Sequence, residues 1–233
     1  MSNTVTLHDR FHESDVLTFD RTTLAWVIGL AATFILTMTV ADFAAVKFLD
    51  LGWVMTPAGS LLFAFVFVTR DMLHKLVGGA MVKKIIFIAI ALNVLTAAFM
   101  YLMTLLPAPG FRPSDAFDAV FALAPAIVAG SIIAGLISQL VNTWVYQKLW
   151  DRGHGNWSRT IWSNVVSLPV DAVFFTILAF VVFPPVFGAT GIELGAAAAR
   201  IASGQTLFKL AIILVLTPLV SLSPTREEAK ELR

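Results

Sequence analysis

Long apolar runs separated by short polar stretches organise this chain. A helix crossing a bilayer needs ~20 mostly apolar residues, and five segments meet that length: 22–46, 85–106, 118–146, 161–183 and 204–222. A sixth, 57–77, contains the unbroken run LLFAFVFV (61–68), followed at once by Thr69, Arg70, Asp71, His74 and Lys75. From Gly52 to Val68 there are only 17 residues, with Thr56, Pro57, Gly59 and Ser60 among them. That stretch spans only if it carries Arg70 and Asp71 inside it. The pattern predicts an all-α polytopic membrane protein with six transmembrane helices.

Charge sets the orientation. Lys and Arg accumulate in cytoplasmic loops. With six spans and both termini cytoplasmic, twelve of the sixteen basic residues fall inside, and only Lys47, Arg112, Arg200 and Lys209 fall outside. Five spans would put the ends on opposite sides and blur that bias. The polar start carries four acids before residue 21 and lacks the basic and short apolar regions of a signal peptide. The expected organisation is a polar cytoplasmic tail over 1–21, one transmembrane unit over 22–222 and a charged cytoplasmic tail over 223–233. Pro107, Pro109, Pro113, Pro184 and Pro185 punctuate the outer turns.

Composition agrees: 58% of residues are apolar and 13% charged, against about 25% charged in a soluble domain. The lipid bilayer is therefore one partner. A net charge of +1 lacks the basic footprint of a nucleic-acid binder. With no cysteine, thiolate metal sites and disulfides are excluded, and no cofactor or metal is expected. The oligomeric state stays open.

Polar side chains inside the apolar runs are the candidate chemistry. An ionisable residue at the bilayer centre costs ~2.5–3.5 kcal/mol on insertion scales and is a functional hypothesis by default. Asp171 lies near the middle of 161–183, with Asn164, Ser167 and Phe175 at positions that share its helical face. Pro169 removes an amide and frees the carbonyl of Val165 beside it. The competing reading is a hydrogen-bonded residue that only holds spans together. The fourth span carries a polar stripe of Ser131, Gly135, Ser138, Gln139, Asn142 and Tyr146. Gly and Ser there suit close helix packing, whereas the amides of Gln139 and Asn142 offer donors and acceptors suited to the edge of a heterocyclic base. Asp42, late in the first span, reads either as a binding residue or as an interfacial acid answered by Lys47. Asn93 is a weaker candidate. Lys209, expected near the outer start of the last span, could snorkel to the headgroups. If the second helix starts near Pro57, Asp71 sits ~21 Å along it, within the hydrocarbon core, yet Asp71 and Lys75 also form an ordinary i,i+4 surface pair.

Four blocks then resemble the queuosine precursor transporter family, also called vitamin-uptake-type transporters. GSLLFAFVFVTRDMLHKLVGGAMVKKIIF (59–87) is similar to its signature, with Asp71, Gly78 and the Lys83–Lys84 pair in register. QLVNTWVYQKL (139–149), SNVVSLPVDAVFFTILAF (163–180) and FKLAIILVLTPL (208–219) resemble its later segments in order and spacing, the last with Lys209 and Pro218 in place. Three positions depart from the pattern: Arg70-Asp71 replaces Thr-Asp, Asn142 replaces Asp, and Asp42 replaces Asn. The resemblance implies a bacterial inner-membrane importer of a 7-deazaguanine base, a small-molecule nucleobase substrate, working as a secondary transporter or facilitator and not as an enzyme. It implies a pocket drawn from Asp171 or Asp71, with Gln139, Asn142, Asn164, Ser167, Asp42 and Lys209, with Phe174 or Phe175 as a stacking wall, and with Arg70 pairing Asp71. The rivals are the substrate-binding component of an energy-coupling-factor importer and a membrane enzyme acting on lipid. The chain has no Walker-type nucleotide loop, no zinc motif of the His-x-x-Glu-His kind and no Asp-rich phosphate motif.

Overall fold

The computed structural model describes residues 5–8, 16–19, 21–111 and 113–216. The expected end of the sixth span (217–222) and the tail 223–233 lie outside the described residues, as do parts of the tail 1–21. Helix α1 runs over Arg21–Ala44, close to the predicted 22–46. Two short antiparallel hairpins supplement the helices. Strand β1 (Val5–His8) pairs with β2 (Val16–Phe19), and β3 (Phe48–Asp50) pairs with β4 (Met55–Pro57).

Helix α2 is continuous by hydrogen bonding over Gly59–Thr104 but is not straight. Unbent, its 46 residues would reach ~69 Å, more than twice the ~30 Å hydrocarbon core. Gly78 breaks it with φ 77° and ψ 169°, a backbone region essentially confined to glycine. The packing shows how far it bends. Gly59 lies so close under the carbonyl of Ala41 that a Cβ there would collide with it. The next residue of α1, Asp42, accepts a hydrogen bond from Asn93 at 2.5 Å. A straight helix would hold residues 59 and 93 ~51 Å apart, so the two halves fold back on each other at Gly78. No multi-residue loop separates the predicted spans 57–77 and 85–106; one glycine does the turning.

The short helix α3 (Asp115–Phe121) is followed by α4 (Ala124–Asp151). The predicted span 118–146 is thus interrupted at 122–123, and Pro125, which has no N–H, sits in the first turn of the new helix, where no N–H is needed. Helix α5 (Asn156–Thr176) carries Pro169 inside it and runs on through a π-helical turn, Ile177–Val182, into the short α6 (Phe183–Val186). Helix α7 (Ala196–Leu216) starts eight residues before the predicted 204, because the run Ala196–Ala199 is strongly helix-forming.

Among the described residues, five helical stretches are long and apolar enough to cross a membrane: Arg21–Ala44, Ala80–Thr104, Asp115–Leu149, Trp157–Val186 and Ala196–Leu216. The first half of α2 fails on composition alone, since Arg70, Asp71 and Lys75 fall within it. Large apolar side chains such as Leu36, Phe87, Leu95 and Leu140 cover the outside of the bundle, as expected where lipid is the solvent. Trp144, Trp157 and Trp162 are exposed around the α4–α5 turn, and exposed indoles of this kind favour a bilayer interface.

The interior has four apolar clusters. Leu30, Phe34 and Met38 of α1 pack against both halves of α2 through Leu73, Leu76, Val82 and Ile85. Ile127 and Ala134 of α4 meet Phe175, Ala179 and Phe180. Phe67, Leu168 and Ile213 join α2, α5 and α7, and Ala97 packs on Ala124 and Val128. Between these clusters lies the polar centre.

Candidate functional site

Asp171 anchors that centre. Its α5 face carries Asn164, Ser167 and Phe175, and all four residues are buried, as the helical spacing predicts. Ser138 of α4 donates to Asp171 Oδ1 at 3.1 Å, and Lys209 Nζ of α7 meets Oδ2 at 2.9 Å. Both side chains of this ion pair are only 3% exposed. Removing two charges from water costs several kcal/mol per ion, which only close pairing and further hydrogen bonds offset. The Lys209 ammonium also sits 4.7 Å from the Phe63 ring centre and 5.7 Å from that of Phe175, both within the range where a ring face attracts a cation.

The expected place of Lys209 near the outer start of its span is corrected here. With α7 beginning at Ala196, Lys209 lies thirteen residues, or ~20 Å, along the helix. It points into the bundle and does not snorkel. The alternative for Asp42 is corrected too. Lys47 is exposed, and the buried Asp42 carboxylate takes its hydrogen bond from Asn93.

These residues surround one cavity. Asp42 contributes from α1, Gly59, Ser60 and Phe63 from α2, Ser131 from α4, Asp171 and Phe175 from α5, and Gln205 and Lys209 from α7. The fold-back at Gly78 and the β3–β4 hairpin hold its α2 wall in place, the latter through an Ala58 N–H donated to the Lys47 carbonyl at 2.7 Å. The free volume is about 10 Å³, room for about one water and far below the ~300–1,000 Å³ of ligand clefts. In this structure the cavity is too small for a ligand larger than a water.

A second polar cluster continues the wall toward the α4–α5 turn. Asn142 Nδ2 donates to Asn164 Oδ1 at 3.2 Å and to Ser167 Oγ at 3.1 Å. Ser167 is one helical turn from Asp171, so the two clusters adjoin. Gln139 is half-buried on α4 and outside the cavity lining. Arg70 and Asp71 also lie apart from it. Arg70 donates through Nε and a terminal nitrogen to Asp71 Oδ1 at 3.2 and 3.0 Å, stacks 5.2 Å from the Phe67 ring centre, and leaves the acid partly exposed.

The sequence reading did not single out Gln205, Ser60 or Phe63. Gln205 is fully buried and donates to Thr176 Oγ1 at 2.9 Å. Its position four residues before Lys209, on the same face of an apolar helix, was the available signal. Ser60 and Phe63 had none, because nothing in an apolar run says which side meets the cavity.

The chain was compared with known proteins. The family model described as "Putative vitamin uptake transporter" matches residues 57–223. A Bacillus subtilis (strain 168) protein described as "Probable queuosine precursor transporter" is 26% identical over 145 residues, covering 60% of this chain and 63% of the relative's length. No solved structure matches. The match runs through the signature helix, the polar stripe, Asp171 and Lys209, over more than two thirds of the 233 residues, and on that ground the chain belongs to the vitamin uptake transporter family.

Proposed function

We propose that this chain is a six-span carrier of the bacterial inner membrane, with both termini cytoplasmic, that imports a 7-deazaguanine queuosine precursor as a secondary transporter or facilitator. The segments 1–21 and 223–233 are its cytoplasmic tails, and 22–222 is the transport unit. Three things support the reading. The first half of α2 lies antiparallel to the second, as a sixth span does. If the chain crosses six times, twelve of its sixteen basic residues fall on the side of the termini and the α4–α5 turn. The family and the Bacillus relative carry transport in their names.

The observation that carries the proposal is the buried Asp171, held between Ser138 and Lys209 beside an aromatic wall. A carboxylate with two oxygens accepts the ring N–H and exocyclic amine of a guanine-type edge together. Phe175 and Phe63 supply faces for a planar ring to stack on. Lys209 pairs with the carboxylate while the site is empty, and substrate donors then share Asp171 with it. Asn142, Asn164, Ser167 and Gln139 form the polar wall a base meets between the cavity and the cytosolic end. Arg70 and Asp71 act in the cytosolic half of α2. Since the cavity holds about one water, helices must part to admit a base, and Gly78 is the built-in break between the two halves of α2.

The test is uptake of labelled precursor by cells unable to make the base and expressing this chain alone. Asp171→Asn at equal membrane abundance is expected to abolish uptake. Wild-type uptake by that variant would refute the site, and no uptake by the unmodified chain would refute the function.

A further inference from the structure

Of the two acids lining the cavity, one has a cation bonded to it among the described residues. Among the described residues lining the cavity, the ionisable side chains are Asp42, Asp171 and Lys209. Lys209 is committed to Asp171 at 2.9 Å. Asp42, only 2% exposed, has the neutral amide of Asn93 as its donor and no cation bonded to it among the described residues. Nearby acceptors are also unused. The amide oxygen of Gln205, a side chain with no exposure, lines the same cavity without a hydrogen-bond partner; that of Asn93, which bonds Asp42 from outside the cavity lining, has none either. A buried polar atom without a partner costs free energy that a bound ligand recovers.

The Asp42 carboxyl group and the Gln205 amide oxygen give this cavity acceptors that no described cation answers. The group that suits it is compact, cationic and rich in donors. A primary ammonium has three N–H donors and no acceptor, and is of the size the cavity's free volume admits.

We propose that Asp42, with the amide oxygen of Gln205, forms a subsite for a primary ammonium group carried on a substrate arm. The inference rests on the reading of the chain as a deazaguanine carrier. It narrows the cargo to a base bearing a protonated aminomethyl arm in preference to one bearing a neutral nitrile. In this arrangement Asp171 takes the ring edge and Asp42 takes the arm. The cation on the arm gives Asp42 the partner that Lys209, engaged by Asp171, does not.

The experiment compares binding of 7-aminomethyl-7-deazaguanine and 7-cyano-7-deazaguanine to the full chain in lipid nanodiscs by equilibrium dialysis. The wild-type chain is expected to favour the amine by about 10-fold or more, the effect of one buried hydrogen-bonded charge. Asp42→Asn, which is isosteric, should abolish that preference by weakening the amine far more than the nitrile. Gln205→Leu should also weaken the amine more than the nitrile, which guards against a folding defect in the first variant. Equal binding of the two bases by wild type, or an equal loss of both in Asp42→Asn, overturns the subsite while leaving the carrier reading intact. Binding of neither base by folded wild type overturns both.

Discussion

Replacing Lys209 by Met leaves the Asp171 carboxylate buried with only Ser138 to solvate it. The pair is 2.9 Å apart, with both side chains 3% exposed. At an effective dielectric of about 20 the direct attraction is about 6 kcal/mol, most of which desolvation offsets in the intact protein. Deleting one partner removes the attraction and keeps the penalty of the other, so each single variant, Lys209→Met or Asp171→Leu, should lose about 3–5 kcal/mol. Lys209→Met also loses its contacts with the rings of Phe63 and Phe175. The double variant removes both charges and should return to within about 1–2 kcal/mol of wild type. Reversible unfolding in mixed micelles on all four proteins gives the coupling, expected at about 2 kcal/mol or more. Single-variant costs that simply add in the double, to within about 0.5 kcal/mol, would refute the buried pair. Precursor uptake then separates stability from transport, because the recovered double variant should be folded and inactive.

Three further outcomes follow from the geometry. Gly78→Ala should destabilise by about 1–3 kcal/mol, because φ 77° with ψ 169° excludes a Cβ; unchanged unfolding would mean that the break is not held there. Asn93→Ala removes the donor to Asp42 from a fully buried position and should cost about 1–3 kcal/mol, whereas loss of an exposed neighbour such as Leu92 should not. Phe175→Ala should cost about 3–5 kcal/mol and reduce uptake, since Phe175 is 8% exposed and lines the cavity, while Phe174→Ala, 41% exposed on the outer face, should leave uptake near wild type.

The helical, membrane-spanning class and the approximate span positions were legible in the sequence, because lipid demands long apolar helices and little else satisfies backbone polar groups there. Asp171 was legible for the same reason: a lone acid amid apolar residues announces its own cost. Its neighbours at helical spacing, Asn164, Ser167 and Phe175, followed from one-dimensional periodicity. Span ends were less legible. Ala196–Ala199 extends α7 toward its start and shifts Lys209 to mid-helix, and Pro125 restarts the fourth span, both effects of local propensity working inside an already apolar run.

What only the tertiary structure decided is which distant polar groups meet. Lys209 and Asp171 are 38 positions apart, and Asp42 and Asn93 are 51 apart. Both pairings depend on how helices turn and fold back, and no window of sequence contains that. The reversal of α2 hangs on a single glycine, where a loop of ordinary length would have been visible. The same limit explains why Asp71, prominent in the family signature, stays with its neighbour Arg70, and why the inconspicuous Gln205 reaches the cavity. Composition determines that a buried charge must find a partner; the packing of α1, α2, α5 and α7 determines which one.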